Sequence, residues 1–334
     1  MTTSVKGLHL GTTLYSLTNQ FHGREYSFEE LIREVARQNL GPGLEVVGFQ
    51  SIRGFPVISD DFAEKFKQVI EETKLVPTCL GINADLMLDP ENPMTEDQSV
   101  EYQARQIEAA AKLGFPVVRY QYPAGVDVIR KLVPTAEKYG VKLGLEVHAP
   151  HHVHHPVVLA YREMYEQMKS PFLGFIPDMG ASARAVPPSF FETALSNGVP
   201  QPLIDLAKEY WLDNNGEPYE RQAKFKATAE SLGFNPANIS ELLIIFGLFG
   251  KMNPKDWAEI IPQSVHIHGK FFDFDENGDD IAIDYRSIIP VFVESGYNGY
   301  MSSEYEGHMW TDSNGFEKLR AHHRLLNNIL NKIN

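Results

Sequence analysis

Thiols are almost missing: Cys79 is the one cysteine in 334 residues. That excludes an internal disulfide framework and any zinc site built on several thiolates. Basic charge is scarce as well, with 30 Lys plus Arg against 44 Asp plus Glu and a formal charge of −14. A net anion repels phosphate backbones and acidic lipid, so nucleic-acid and membrane-surface roles are disfavoured. No long hydrophobic run occurs. Residues 242–250 (LLIIFGLFG) form the longest, about half of the ~20 residues that span a bilayer. The start, MTTSVKGLHLG, lacks the basic opening and apolar stretch of a signal peptide, and a soluble cytoplasmic protein is expected. No Gly-x-Gly-x-x-Gly turn follows the first strand, and Walker, Gly-x-Ser-x-Gly and His-Glu-x-x-His motifs are absent. The common signatures of dinucleotide, nucleotide, serine-hydrolase and zinc-peptidase chemistry are thereby removed.

What is present is globular in composition, 43% apolar and 22% charged. Short β-rich stretches recur between amphipathic ones, giving eight candidate strands at 8–16, 44–51, 76–83, 116–122, 141–148, 173–179, 264–272 and 299–306. Helices fit between most of them, at 27–39, 61–73, 97–113, 126–139, 157–169, 286–295 and 316–332. Ser27 and Glu30 form a capping box that opens the first. Gly114, Gly140 and Gly296 stand where helices stop, because glycine tolerates the left-handed conformation there. Eight βα units predict an α/β fold, a (β/α)8 TIM barrel covering 1–334 as one domain. An open doubly wound sheet is the alternative with similar periodicity. The sixth and seventh strands are separated by a long insertion, 181–263, where a typical unit takes roughly 30 to 40 residues. Its helical patterns, near 201–213, 219–232 and 237–249, make it a lid, a subunit contact or padding.

The last four strands each end in a metal-capable side chain: Glu146 in GLEVHAP, Asp178 in IPDMG, His268 in VHIHGKFF and Glu304 in SSEYEG. In a barrel these ends are neighbours, and inward side chains there converge. Three carboxylates and one imidazole suit Mn²⁺ or Mg²⁺, whose preference for about six ligands leaves positions for substrate oxygens. Strand periodicity adds His148 beside Glu146, Lys270 beside His268 and Glu306 beside Glu304. His148 is a proton-transfer candidate or an orienting partner. His266 lies deeper, as a hydrogen-bonded core histidine or a functional one. His151, His152, His154 and His155 form a loop assigned to substrate contact. The acidic run 273–284 imitates a calcium loop but follows a strand and ends in Asp284, so a polar turn is the better reading. Cys79 reads as inert core. Surface or capping roles are the bland alternative for each acid alone, but not for four successive strand ends.

The order Glu146, Asp178, His268, Glu304 resembles the xylose isomerase-like barrels of the sugar isomerase and epimerase superfamily, as do the His268-x-Lys270 step and the SSEYEG ending. GLEVHAPHH, FFDFDENGDDIAIDY and the long insertion are similar to the large (α) subunit of bacterial C-glycoside deglycosidases. That resemblance implies a Mn²⁺-type ion, with Mg²⁺, Co²⁺ or Zn²⁺ as alternatives, held by Glu146, Asp178, His268 and Glu304. It also implies a small β subunit and a carbon–carbon lyase acting on aromatic C-glycosides already oxidised to a ketone at sugar C3. His148 would be the general base, with Lys270 or Glu306 assisting electrostatically. A ketose 3-epimerase or aldose–ketose isomerase would use the same metal site, as would an inositol-type dehydratase. A barrel that only binds sugar or scaffolds a partner would not need all four ligands.

Overall fold

The computed structural model describes residues 7–85, 89 and 91–333; the start of the N-terminal segment read above, up to Lys6, lies outside them. Eight parallel strands are present. They are β1 Leu8–Thr13, β2 Gly43–Val47, β3 Val76–Gly81, β4 Val117–Tyr120, β5 Lys142–Val147, β6 Leu173–Pro177, β7 Ile267–Phe271 and β8 Gly299–Tyr305. Their order, β6-β5-β4-β3-β2-β1-β8-β7, wraps round so that β6 meets β7 through the bridges Phe175–Ser264 and Asp178–His268. The result is a (β/α)8 TIM barrel. Most strands are shorter than their sequence stretches because the chain leaves the ladder at the carboxyl end to enter the loops. After β2 it turns at once into a helical turn, Gly48–Ser51.

Helices pack outside as their apolar stripes require. The helix Phe28–Arg37 opens with the Ser27–Glu30 capping box and buries Phe28, Leu31, Ile32 and Val35. Gly114, Gly140 and Gly296 take φ of +79°, +68° and +72° at or next to helix ends. Each buried Leu, Ile or Phe on such a face contributes about 1.5–3 kcal/mol. One contiguous core runs from Leu8 to Leu330 between strands and helices. A separate small cluster of Cys79, Val117 and Ile176, with Val265 against it, packs apart from that core. Cys79 is indeed buried core.

The segment between β6 and β7 holds helices at Gln201–Leu212, Pro218–Ser231 and Pro236–Leu243, close to the expected ones, and another at Pro188–Ser196 that periodicity did not suggest. The third expected helix breaks at Ile244 into the short turn Ile245–Leu248. The apolar run there is buried against the chain itself: Phe249 packs 5.0 Å from the Phe272 ring, and Gly250 donates its N–H to the Gly180 carbonyl. The insertion therefore presses on the loop that follows β6. No helix among the described residues is long and apolar enough to cross a membrane.

Candidate metal centre and active site

Register explains why distant residues meet. The Asp178–His268 bridge sets those two residues side by side, and Lys270 pairs with Glu304 across β7 and β8. Glu146 is the penultimate residue of β5, so His148 stands just beyond the strand end. Glu146, Asp178, His268 and Glu304 each bring one donor atom within 4.8 Å of the others, all buried. Asp178 Oδ1 accepts the Gly180 N–H at 2.7 Å, which turns Oδ2 inward. A Cβ on Gly180 would stand 2.9 Å from that oxygen and 2.9 Å from the Lys270 chain, so only glycine allows the approach. Glu146 Oε2 accepts from Arg119 at 3.0 Å and Gln121 at 2.9 Å, leaving Oε1 facing His268 Nδ1 at 2.8 Å.

Asp178 Oδ2, His268 Nδ1 and Glu304 Oε2 are buried atoms that complete no well-formed hydrogen bond, although Asp178 Oδ2 lies 3.0 Å from the Lys270 ammonium and His268 Nδ1 lies 2.8 Å from Glu146 Oε1. Buried polar atoms are ordinarily paired, and those that are not mark a missing ion or a reactive group. Charge makes the same point. Five buried carboxylates (Glu45, Glu146, Asp178, Glu304 and Glu306) face two fixed cations, Arg119 and Lys270, a surplus that a divalent ion offsets. The residues fit a hard, oxygen-preferring ion such as Mn²⁺ or Mg²⁺. Burial alone would lower the His268 pKa, but Glu45, Glu304 and Glu146 outweigh it and hold it well above the ordinary imidazole value. Burial likewise pushes Asp178 up to about 6, against the pull of Lys270.

Lys270, itself buried, ties the rest together. Its Nζ lies 3.0 Å from Asp178, 2.9 Å from Glu306 and 2.7 Å from His148 Nε2. His148 Nδ1 bonds the Ala149 carbonyl, which directs Nε2 toward Lys270 and the cavity. That cavity holds about 350 Å³ and is lined by Glu146, His148, Lys270, Glu304 and Glu306 on one side. Val47, Phe49, Ile82, Ala84, Pro123 and Ala124 give the rest of the lining an apolar share, interleaved with Gln50, Asn83, Asp85, Arg119 and Gln121, and Tyr15 and Tyr120 are also at the wall. The four loop histidines do not line it. His151 packs edge-on against Tyr122, His155 caps the helix Pro156–Met168, and His152 and His154 face Glu217 and Glu259. The acidic run 273–284 is a polar turn, in which the buried Asp280 accepts N–H bonds from Phe272, Ala282 and Ile283.

Sequence reasoning passed over Glu45, Arg119 and Gln121. Glu45 is fully buried on β2, bonded to His268 Nε2 at 2.8 Å and His266 Nε2 at 3.1 Å. Burial opposes its ionisation, but His268 and His266 hold it well below the ordinary carboxylate range. The signal was a lone charge inside LEVV and another inside VVRY, in parallel strands covered on both faces.

Residues 42–196 match the xylose isomerase-like TIM barrel family model. The chain is 40% identical over 333 residues to the 3'-dehydrocarminate deglycosidase alpha subunit of Microbacterium sp., covering 97% of this chain and 96% of the relative. It is 42% identical over 308 residues to the C-glycoside deglycosidase alpha subunit of Microbacterium trichothecenolyticum, covering 90% and 84%. The chain belongs to the C-glycoside deglycosidase alpha-subunit family of xylose isomerase-like barrels. Among solved structures, 3-keto-D-glucoside 4-epimerase from E. coli superposes with a TM-score of 0.56 at 13% identity, covering 95% of this chain and 99% of that one. A xylose isomerase-like barrel from Mycobacterium smegmatis, solved with magnesium, gives 0.53 at 16% identity, covering 96% and 97%. At such identities these two show the shared fold. Kinship with the deglycosidases supports an enzyme.

Proposed function

We propose that the chain is the large subunit of a divalent-metal-dependent lyase that breaks the C–C glycosidic bond of 3-oxo C-glycosides with aromatic aglycones. One observation carries the metal part of this reading: buried donor atoms of Glu146, Asp178, His268 and Glu304 converge within 4.8 Å of one another beside a sugar-sized cavity. The deglycosidase relatives supply the substrate class, and the apolar wall suits a flat aglycone. Their designation as alpha subunits supports a small β partner.

Ordinary glycosidases protonate a leaving oxygen, and a C–C bond has none. A ketone at C3 instead acidifies the proton on C2. Glu146, Asp178, His268 and Glu304 would hold the ion, Mn²⁺ before Mg²⁺, Co²⁺ or Zn²⁺. When bound, it supplies Lewis-acid stabilisation of negative charge on the sugar oxygens. His148 takes the C2 proton at Nε2, the nitrogen beside the cavity. The freed electron pair becomes the C1–C2 double bond as the bond from C1 to the aglycone breaks. The aglycone carbon gains a proton, balancing the one removed, and no water is consumed. Lys270 donates to His148 Nε2 before substrate binds and must give up that bond, keeping Glu306 at 2.9 Å and Asp178 at 3.0 Å, for the lone pair to reach the C2 proton.

The test is turnover of a 3-oxo C-glycoside by the purified chain with its β partner and Mn²⁺, read as free aglycone. Release should need the metal, and His148→Ala should lower kcat by roughly 10²–10⁴ while metal content stays at the wild-type level. Release that survives His148→Ala unchanged removes His148 from the mechanism. Full activity of the lone chain on free ketoses, without aglycone release, replaces the lyase with the epimerase or isomerase reading.

A further inference from the structure

Below the four candidate ligands lies a polar layer that the mechanism leaves unused. Glu45, His266 and Ser302 are almost completely buried. Glu45 Oε1 stands 2.8 Å from His268 Nε2, and Oε2 stands 3.1 Å from His266 Nε2, itself 2.9 Å from Ser302 Oγ. Interiors of such barrels are commonly filled by branched apolar side chains, and a buried carboxylate is costly unless it is paired. Packing alone gives no reason for a charge at this point of β2.

We propose that Glu45 is a positioning residue for the metal centre, fixing the orientation and tautomer of His268. The inference rests on reading Glu146, Asp178, His268 and Glu304 as metal ligands. A neutral imidazole carries one N–H and one lone pair. An ionised carboxylate only accepts, so its bond to Nε2 places the N–H there. Nδ1 then faces Glu146, Glu304 and Asp178, at 2.8, 3.4 and 3.9 Å, and is the nitrogen whose lone pair a bound ion would take in place of the proton those carboxylates hold there without metal. His266 holds the second Glu45 oxygen, so the carboxylate cannot swing away. Glu146 is treated in the same way, with Arg119 and Gln121 holding one oxygen and leaving the other inward. The sequence thus spends two strands, β2 and β4, on aiming ligands carried by β5 and β7.

Glu45, Cys79 and His266 also bring donor atoms within 4.8 Å of one another, so the test separates an aiming role from a ligand role. The chelator-stripped full chain is titrated calorimetrically with Mn²⁺ alone, for the wild type, Glu45→Gln and Ser302→Ala, with melting temperatures taken with and without metal. One ion should bind the wild type, and Glu45→Gln should bind one ion roughly 10- to 100-fold more weakly. Its metal-induced rise in melting temperature should shrink accordingly. Ser302→Ala, which removes the hydroxyl that shares His266 Nε2 with Glu45, should show a smaller loss in the same direction and serves if Glu45→Gln fails to fold. A merely structural Glu45 would lower both melting temperatures alike and leave affinity unchanged, which overturns the proposal. Two ions in the wild type falling to one in Glu45→Gln would make Glu45 a ligand and overturn it too. A wild-type chain that takes up no ion overturns the metal centre itself, a result distinct from unchanged affinity in the variant.

Discussion

Strands β5–β8 and strands β2–β4 line one cavity with different chemistry, the first almost wholly charged and the second mixed apolar and polar. The first side presents Glu146, His148, Lys270, Glu304 and Glu306, with Asp178 and His268 behind them. The second presents Val47, Phe49, Ile82, Ala84, Pro123 and Ala124. Glu45 and Arg119 bond His268 and Glu146 of the first side, while Gln50, Asn83 and Asp85 are left at the cavity wall for a substrate. Buried ionisable groups thus concentrate on the β5–β8 half of the barrel, and the proposed chemistry belongs to that half while the other supports and shapes it. The proposed substrate, a sugar joined directly to an aromatic ring, would suit this difference because it has one polar and one apolar end.

The hardest blow to the contrast is Asp178→Asn. It removes an inward charge while keeping the shape and the Oδ1 bond from Gly180. Metal affinity should drop by more than roughly 100-fold and aglycone release by about 10³-fold or more. Elemental analysis and turnover measure the two losses. Binding and release near wild-type levels would mean that the β5–β8 side does not work as a metal centre.

Lys270→Met tests how the charged side is held together without metal. The ammonium neutralises Asp178 and Glu306 at 3.0 and 2.9 Å, all three out of water. Removing one partner of a buried ion pair costs about 3–5 kcal/mol because the remaining charges are left unpaired. Urea unfolding of the metal-free variant should show that loss, and added Mn²⁺ should restore part of it by supplying positive charge nearby. Equal stability in the wild type and the variant would mean that the carboxylates do not depend on Lys270.

The same two-sidedness explains what could be read from the sequence. Glu146, Asp178 and Glu304 were legible because each sits at or just past a strand's carboxyl end, where a barrel gathers side chains whatever its helices do; His268 is instead the second residue of the short β7, brought level with them by the Asp178–His268 bridge. Capped amphipathic segments such as 27–39 were legible for local reasons, since Ser27, Glu30 and the spacing of Leu31, Ile32 and Val35 lie within one stretch. Glu45 and Arg119 were not, because a single charge in a strand looks like a solvent-facing position until both faces are known to be covered. The apolar run at 242–249 announced burial, but its partners, Phe272 and the loop around Gly180, come from other parts of the chain. The histidines of 151–155, expected to contact substrate, are not among the residues that line the cavity. Their actual neighbours, Tyr122, Glu217 and Glu259, are set by tertiary contacts that no spacing encodes.

The apolar side is broken most gently by Phe49→Ala. Phe49 is 42% exposed and lines the cavity from the turn after β2, so it bears little of the core's packing. Truncating a partly exposed ring should therefore leave stability within about 0.5 kcal/mol. A flat aglycone stacked on that ring would lose contact worth about 0.5–1.5 kcal/mol beyond area burial, a several-fold rise in KM for the 3-oxo C-glycoside. Contact made equally in ground and transition states leaves kcat unchanged, and metal affinity should not move because no ligand touches Phe49. Steady-state kinetics on two substrates, one with a flat aromatic aglycone and one with a small non-aromatic group, separates the roles of the two sides. If KM rises only for the aromatic substrate, recognition belongs to β2–β4; an equal rise for both assigns Phe49 to the sugar, and a fall in kcat with loss of metal would collapse the division between them.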